Sequence, residues 1–76
     1  MSVITVTVDA RGQSCPGPLV TLYGALKDAE RGDLLELLAT DPGSTSDLPS
    51  WAELSGNELV ETSEDAGVYR YVVRKA

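Results

Sequence analysis

The spacing of hydrophobic residues changes along this 76-residue chain, and this change most constrains the fold. From Val3 to Val8 apolar and threonine side chains alternate, which is typical of a half-buried strand with an inner face of Ile4, Val6 and Val8. A helix is predicted next, because apolar residues recur at three- and four-residue steps: Leu19, Leu22, Leu26 and Ala29. We expect Gly32 to end this helix as its C′ residue.

The second half of the chain repeats the strand and helix pattern. Leu34 to Leu38 lies between Gly32 and Pro42, a space too short for an ordinary helix, and is predicted to be a strand. After a turn at Asp41–Ser44, a second helix is predicted with an inner face of Leu48, Trp51, Ala52 and Leu54. The hydroxyl residues Ser44, Thr45 and Ser46 are its candidate caps, and Asp41 and Asp47 are assigned to the turn and the cap. Pro49 is expected to break or reshape its first turn.

Two strand-like runs follow, Glu58 to Thr62 and Val68 to Arg74, and a polar segment ending Asp65-Ala66-Gly67 suits a hairpin between them. The predicted order is βαβαββ. Because alternate residues of the strands are polar, one face of the sheet is expected to be polar, and the helices are expected to cover only the other face. We therefore predict an α+β fold, a two-layer α/β sandwich with a mixed four-stranded sheet and two helices on one face, in a single domain over residues 1–76.

Composition excludes several classes of function. Twelve acidic and six basic residues give a net charge of −6, and this field opposes direct binding of nucleic acid. With one cysteine and no histidine, the chain can form no intramolecular disulfide and can supply no zinc site or histidine-dependent catalysis. We therefore expect no metal or cofactor. No apolar run approaches the roughly 20 residues of a membrane span, and the N-terminus lacks a signal peptide's pattern. We expect a cytoplasmic monomer that does not bind membranes.

The charges are unevenly distributed along the sequence. Every charged residue between Gly32 and Tyr69 is acidic, so separate acidic and basic zones are expected on the surface, although solvated charges are the simpler interpretation. Lys27 and Arg31 are spaced to share one side of the first helix. Trp51, Tyr69 and Tyr71 are assigned to packing rather than to a binding site.

The segment from Asp9 to Pro18 contains the only thiol, Cys15, at the start of the first helix. Pro16 and Pro18 favour a helix start directly behind it, because proline fits the first turn of a helix. The free N–H groups and the helix dipole would then favour an anion, which would lower the thiol pKa and stabilise a thiolate or persulfide.

Other residues around the thiol have supporting roles in this interpretation. Arg11 could add positive charge, while Gly12 and Gly17 would leave room for a partner's reactive atom. Asp9 either pairs with Arg11 or caps the loop, and a role as a catalytic base is the weaker alternative. A buried structural cysteine is less consistent with the polar residues and glycines on either side of Cys15.

The pattern Asp9-x-Arg11-Gly12-x-x-Cys15-Pro16-x-Pro18 resembles the signature of the TusA/SirA family of small sulfur-carrier proteins. The similarity continues through Ala25-Leu26, Asp41-Pro42, Asp47-Leu48-Pro49, Gly56, Glu58-Leu59 and Tyr69-Arg70-Tyr71. Gly17 replaces the larger or acidic residue that many members have, and Thr40-Asp41 replaces an acidic pair. The subgroup therefore stays open.

The resemblance implies that Cys15 carries sulfur as a persulfide. The donor would be a cysteine desulfurase or a rhodanese-type protein, and the acceptor a DsrE-type protein. The sulfur would go to tRNA thiolation, cofactor assembly or sulfur oxidation. The alternative is a non-catalytic interaction or regulatory module in which the Cys-Pro-Gly-Pro segment only shapes a binding loop.

Overall fold

The structure, a computed structural model, describes residues 4–14 and 17–76. Its six elements follow the predicted order βαβαββ: β1 (Val6–Ala10), α1 (Gly17–Asp28), β2 (Leu34–Ala39), α2 (Ser44–Ser55), β3 (Glu58–Asp65) and β4 (Val68–Arg74). The sheet has the strand order β1-β2-β4-β3. β1 is parallel to β2, and the other two pairs are antiparallel. The predicted two-layer fold with a mixed sheet is confirmed.

The bounds and inner face of β1 differ from the prediction. The strand runs from Val6 to Ala10 because its parallel register pairs these residues with Leu35 to Ala39 of β2. Val8 and Ala10 are buried, whereas Val6, on the same edge strand, is 42% exposed. Ile4 precedes the strand, and Val3 lies outside the described residues.

The first helix ends at Asp28, so the prediction that Gly32 is its C′ residue is wrong. Gly32 has φ +87 and occupies a separate turn four residues later. The end of α1 is instead capped from the far end of the chain, because Lys75 Nζ donates to the carbonyls of Leu26 and Ala29 at 2.6 Å each. A cation at this position also complements the helix dipole.

The second helix begins without a side-chain cap, contrary to the prediction for Ser44, Thr45 and Ser46. Gly43 occupies the cap position, and Asp41 Oδ1 accepts from its N–H at 3.3 Å, in the predicted turn role of Asp41. The N–H groups of the three hydroxyl residues donate to carbonyls three residues earlier, which tightens the first turn. Asp47 lies in that first turn, and the helix continues unbroken through Pro49.

The inner face of α2 consists of Leu48 and Ala52, with Trp51 packed at the edge of the core as expected. Leu54 is 88% exposed, so its predicted place on that face is wrong. The reason is rotational: Leu54 is two residues after Ala52, about 200° around a helix of 3.6 residues per turn.

β3 and β4 form the predicted hairpin, although β3 extends three residues beyond the predicted Thr62 to Asp65. The connecting residues Ala66 and Gly67 have φ +51 and +83. Positive φ at both positions is the geometry of a type I′ turn, whose twist matches that of the strands. A bulge between Leu59 and Glu61 interrupts the register near the start of β3.

The core lies between the helices and one face of the sheet. Alternate residues of β1, β2 and β4 meet both helices in one cluster: Val8, Ala10, Leu22, Leu26, Leu35, Leu37, Ala39, Leu48, Tyr71 and Val73. Tyr71 is packed as predicted, with Tyr69 partly buried beside it. No helix in the described part of the chain is long and apolar enough to cross a membrane.

Charges on the open face of the sheet are interleaved, not divided into acidic and basic zones. Arg70 binds Glu36 and Glu61, and Arg74 Nη1 lies 2.8 Å from Glu58 Oε1. Hydrogen bonds from Arg70 and then Thr7 lower the pKa of the Glu36 carboxyl. The strand pairing causes this arrangement, because it sets the basic residues of β4 between the acidic residues of β2 and β3.

Lys27 and Arg31 do not share a helix face, since α1 ends before Arg31. The Lys27 ammonium lies 5.6 Å from the centre of the Tyr23 ring. The expected pair of helical cations is therefore wrong.

One buried polar contact joins the two layers. Ser44 Oγ and Tyr71 Oη are 2.8 Å apart, and burial is the largest influence raising the pKa of the Tyr71 phenol.

We expect Tyr71→Phe to lower the free energy of unfolding by about 1–2 kcal/mol, because it leaves the Ser44 hydroxyl buried without this partner. Urea denaturation measures the change. Ser44→Ala with Tyr71→Phe should cost less than the sum of the two single changes, and simple additivity would contradict coupling through this bond.

Candidate functional site

The ends of β1 and β2 and the starts of both helices lie at one edge of the sheet. Parallel pairing sends the two strands to the same edge, and α1 and α2 begin after the loops that leave it. Residues 9–14 and 17–18 thus lie at this edge, at the position where a sheet with parallel strands commonly forms binding sites. Between these ranges, Cys15 and Pro16 lie outside the described residues, so their predicted roles stay predictions.

The loop after β1 begins with a tight turn. Gln13 N–H donates to the Ala10 carbonyl at 3.2 Å, and Gly12 has φ +84. This conformation is that of a type II turn, which requires positive φ at its third residue. A Cβ on Gly12 would meet no atom within 4 Å, so the positive φ, and not a lack of space, favours glycine there. The predicted clearance for a partner's approach to the thiol stays a prediction.

The loop is attached to the end of β2 by one hydrogen bond. Gly12 N–H donates to Thr40 Oγ1 at 2.9 Å. Sequence analysis did not identify Thr40 as a site residue, because its partner is 28 positions away and threonine after a strand has no distinctive pattern. The bond joins the two loops that lie next to the start of α1.

The first turn of α1 is organised by Gln13. Thr21 Oγ1 lies 3.0 Å from both Gln13 Oε1 and the Gly17 carbonyl oxygen, so Gln13 folds over the helix start. A Cβ on Gly17 would meet Gln13 Oε1 at 3.0 Å and Gln13 Cβ at 3.1 Å. Gly17 therefore makes room for Gln13, a function that differs from the predicted clearance around the thiol. Neither Gln13 nor Thr21 was identified from the sequence.

The described residues on either side of Cys15 and Pro16 approach each other closely. Gly17 N–H donates to the Ser14 carbonyl at 2.7 Å. Pro18 is buried in the first turn of α1, as its predicted role in the helix start requires. The helix thus begins two residues after Cys15 in the sequence.

Asp9 and Arg11 form the predicted ion pair. Arg11 Nε and Nη2 donate to the two carboxylate oxygens of Asp9 at 2.9 Å each, and the Arg11 backbone N–H adds a third bond at 3.1 Å. These bonds lower the pKa of Asp9 to about 2 and raise that of Arg11. Asp9 is thus a weak base at neutral pH, and its charge offsets the positive charge that Arg11 was expected to add.

Replacing Arg11 with Ala should raise the pKa of Asp9 from about 2 toward the ordinary value of about 3.9, because the side-chain hydrogen bonds are lost. A depressed carboxyl pKa stabilises the folded state above about pH 3.9, and this contribution is lost as pH falls toward 2. NMR titration of the Asp9 carboxyl carbon measures the shift, with Arg31→Ala as the control. An unchanged midpoint in Arg11→Ala would show that the pair does not form in solution.

Comparison with known proteins covers almost the whole chain. A protein of Archaeoglobus fulgidus named for a sulfur-carrier role is 44% identical over 70 residues, which are 92% of this chain and 96% of that protein. The sulfur carrier protein TusA of Pseudomonas aeruginosa is 40% identical over 72 residues, 95% of this chain and 91% of that protein. The structure also resembles the crystal structure of a SirA-like protein from Desulfitobacterium hafniense, with a TM-score of 0.80 and 30% sequence identity. This match covers 92% of this chain and 96% of that chain.

The family model described as Sulfurtransferase TusA matches residues 6–75, a range that includes every secondary-structure element and the loop at the start of α1. The resemblance inferred from the Cys-Pro-x-Pro segment is thereby confirmed, and the chain belongs to the TusA family.

Proposed function

We propose that this chain is a sulfur carrier that holds sulfur as a persulfide on Cys15 and relays it between two partner proteins. Membership of the TusA family supports the carrier role most directly, because relatives along nearly the full chain are named as sulfur carriers. The position of Cys15 two residues before α1 supports the assignment of the residue. The chain would act as one domain over residues 1–76.

Loading and release use the same exchange reaction. In loading, the Cys15 thiolate attacks the outer sulfur of a donor persulfide, the donor's S–S bond breaks, and the donor cysteine leaves as a thiolate. In release, an acceptor thiolate attacks the outer sulfur on Cys15, and Cys15 leaves as the thiolate. Each step moves one sulfur atom with no net oxidation, so no external oxidant or reductant is needed.

The helix start favours both directions of this exchange. N–H groups and the positive end of the dipole at an N-terminus stabilise an anion, and a stabilised thiolate is the better leaving group. The charge of Arg11 adds little, because Asp9 binds it in two hydrogen bonds. The backbone of α1 is therefore the main proposed source of activation.

The partners follow from the chemistry and from the family resemblance. A cysteine desulfurase or rhodanese-type donor supplies a persulfide, and a DsrE-type acceptor supplies the receiving thiol. A net charge of −6 opposes direct contact with tRNA, so sulfur destined for tRNA would pass through the acceptor protein.

Incubation with a persulfide donor should make the wild-type protein one sulfur atom heavier, and dithiothreitol should reverse the change. Cys15→Ser should keep its fold and gain no mass, because serine cannot form a persulfide. Intact-mass spectrometry measures loading, and circular dichroism controls for folding. The interaction-module alternative predicts that Cys15→Ser keeps full cellular activity, and that result would exclude the carrier.

Alkylation of Cys15 should show a midpoint below about pH 8.5, the ordinary thiol value, because the helix N-terminus favours the thiolate. The rate of reaction with iodoacetamide between about pH 5 and about pH 10 measures the midpoint, because this range includes the ordinary value of about 8.5 and values up to about three units below it. A peptide spanning residues 9–18 provides the unfolded reference. A midpoint equal to that of the peptide would show that the folded helix does not activate the thiol.

A further inference from the structure

A second surface, separate from the loop that contains Cys15, lies along the outer edge of β3. Within residues 4–14 and 17–76, β3 pairs only with β4, so its other side is an open sheet edge. Its eight residues exceed the usual strand length of about five or six, and all from Val60 to Asp65 are exposed. Unpaired N–H and C=O groups on such an edge can accept another strand, and charged residues and bulges limit which strand can pair there.

The bulge divides this edge into two parts. It interrupts the register between Leu59 and Glu61, whereas Glu61 to Asp65 pair regularly with β4. A short strand could therefore add to the five residues from Glu61 to Asp65, which is close to the usual strand length of about five or six.

The negative charge of β3 favours a basic partner. The strand contains four acidic residues and no basic one: Glu58, Glu61, Glu64 and Asp65. The first two form ion pairs with β4 arginines, whereas Glu64 and Asp65 form no salt bridge among the described residues. The uncompensated charge thus lies in the regular half of the edge, where it would repel a second copy of the same edge and attract a basic segment.

A groove of about 340 Å³ opens beside the same half of β3. Thr45 and Pro49 of α2 form one side, β3 residues including Thr62 and Glu64 form the other, and Tyr69 and Tyr71 also line it. An aromatic ring together with a carboxylate suits a lysine or arginine side chain, which can contact the ring face and pair with the acid.

We infer that the edge from Glu61 to Asp65 binds an extended basic segment of a partner protein by strand addition, with one lysine or arginine side chain in the adjacent groove. Main-chain hydrogen bonds would supply affinity, and the acidic residues and groove would supply specificity. The inference does not depend on sulfur transfer by Cys15.

This surface is compatible with simultaneous use of the thiol site. β3 runs parallel to β1 and β2, because it is antiparallel to β4, which is antiparallel to β2. The C-terminal end of β3 therefore lies at the same end of the sheet as the C-terminal ends of β1 and β2. Two strands separate β3 from β1, a distance of roughly 14 Å at the usual strand spacing. A single strand added to β3 would lie one further strand spacing away and would not itself occupy the start of α1.

The probe is a synthetic peptide of alternating lysine and valine, about seven residues long to match a short strand. We expect the peptide to shift the amide NMR signals of residues 61–65 and to slow their hydrogen exchange. The same peptide with every backbone amide N-methylated keeps its charge but cannot donate main-chain hydrogen bonds, and it should bind at least about tenfold more weakly.

The matched variants remove two negative charges each. Glu64→Gln with Asp65→Asn should weaken binding about fivefold, whereas Glu30→Gln with Glu53→Gln, two exposed acids elsewhere, should weaken it less than about twofold. Any one of four results would overturn the inference. The peptide does not bind, the N-methylated peptide binds equally well, the two variants have equal effects, or the signal shifts are centred outside β3. Sedimentation showing a dimer formed through β3 would do so too, because a second copy would then occupy the edge.

Discussion

The parallel pairing of β1 with β2 is the constraint on which the functional edge depends. Two parallel strands cannot be joined by a tight turn, so the chain crosses back through α1, and both strands then end at the same edge. The alignment of Val6 with Leu35 and of Ala10 with Ala39 also fixes where the first loop begins. The bond from Gly12 N–H to Thr40 Oγ1 joins that loop to the end of β2. Local loop sequence alone would not hold the start of α1 in this place.

At the start of α1, the proposed activation depends on the backbone, because Arg11, the basic residue of the preceding loop, is paired with Asp9. Asp9 offsets the charge of Arg11, whereas Arg70 and Arg74 bind acidic residues on the open face of the sheet. Lys75 caps the opposite end of α1, where a cation complements the negative end of the dipole. A thiol at the N-terminal end of this helix would therefore experience mainly the N–H groups and the dipole. This is the source of activation that we propose for a chain without histidine or a second cysteine.

Local sequence was sufficient to predict the order of the elements and the layer architecture, because the apolar positions of α1 repeat with helix spacing and the short space between Gly32 and Pro42 favours a strand for β2. It failed where a distant contact decides the outcome. Lys75 caps a helix that Gly32 was expected to end, and pairing with β2 moves β1 toward Ala10. At the site, the Asp9–Arg11 pair is local and was predicted, whereas Thr40 acts on Gly12 across 28 positions and was missed. Gln13 was missed because its contact with Gly17 depends on how the loop folds back on α1.

The central claim is that the start of α1 makes Cys15 an efficient acceptor and donor of sulfur. Single-turnover release from persulfidated protein to an acceptor thiol tests it most directly when wild type is compared with a Pro16→Ala, Pro18→Ala variant. The account predicts that the variant releases sulfur more slowly, because its helix start is less well defined. The factor by which release slows should exceed the factor by which the unfolding equilibrium constant, measured by urea denaturation, changes. Unchanged release from a fully folded variant would contradict the claim.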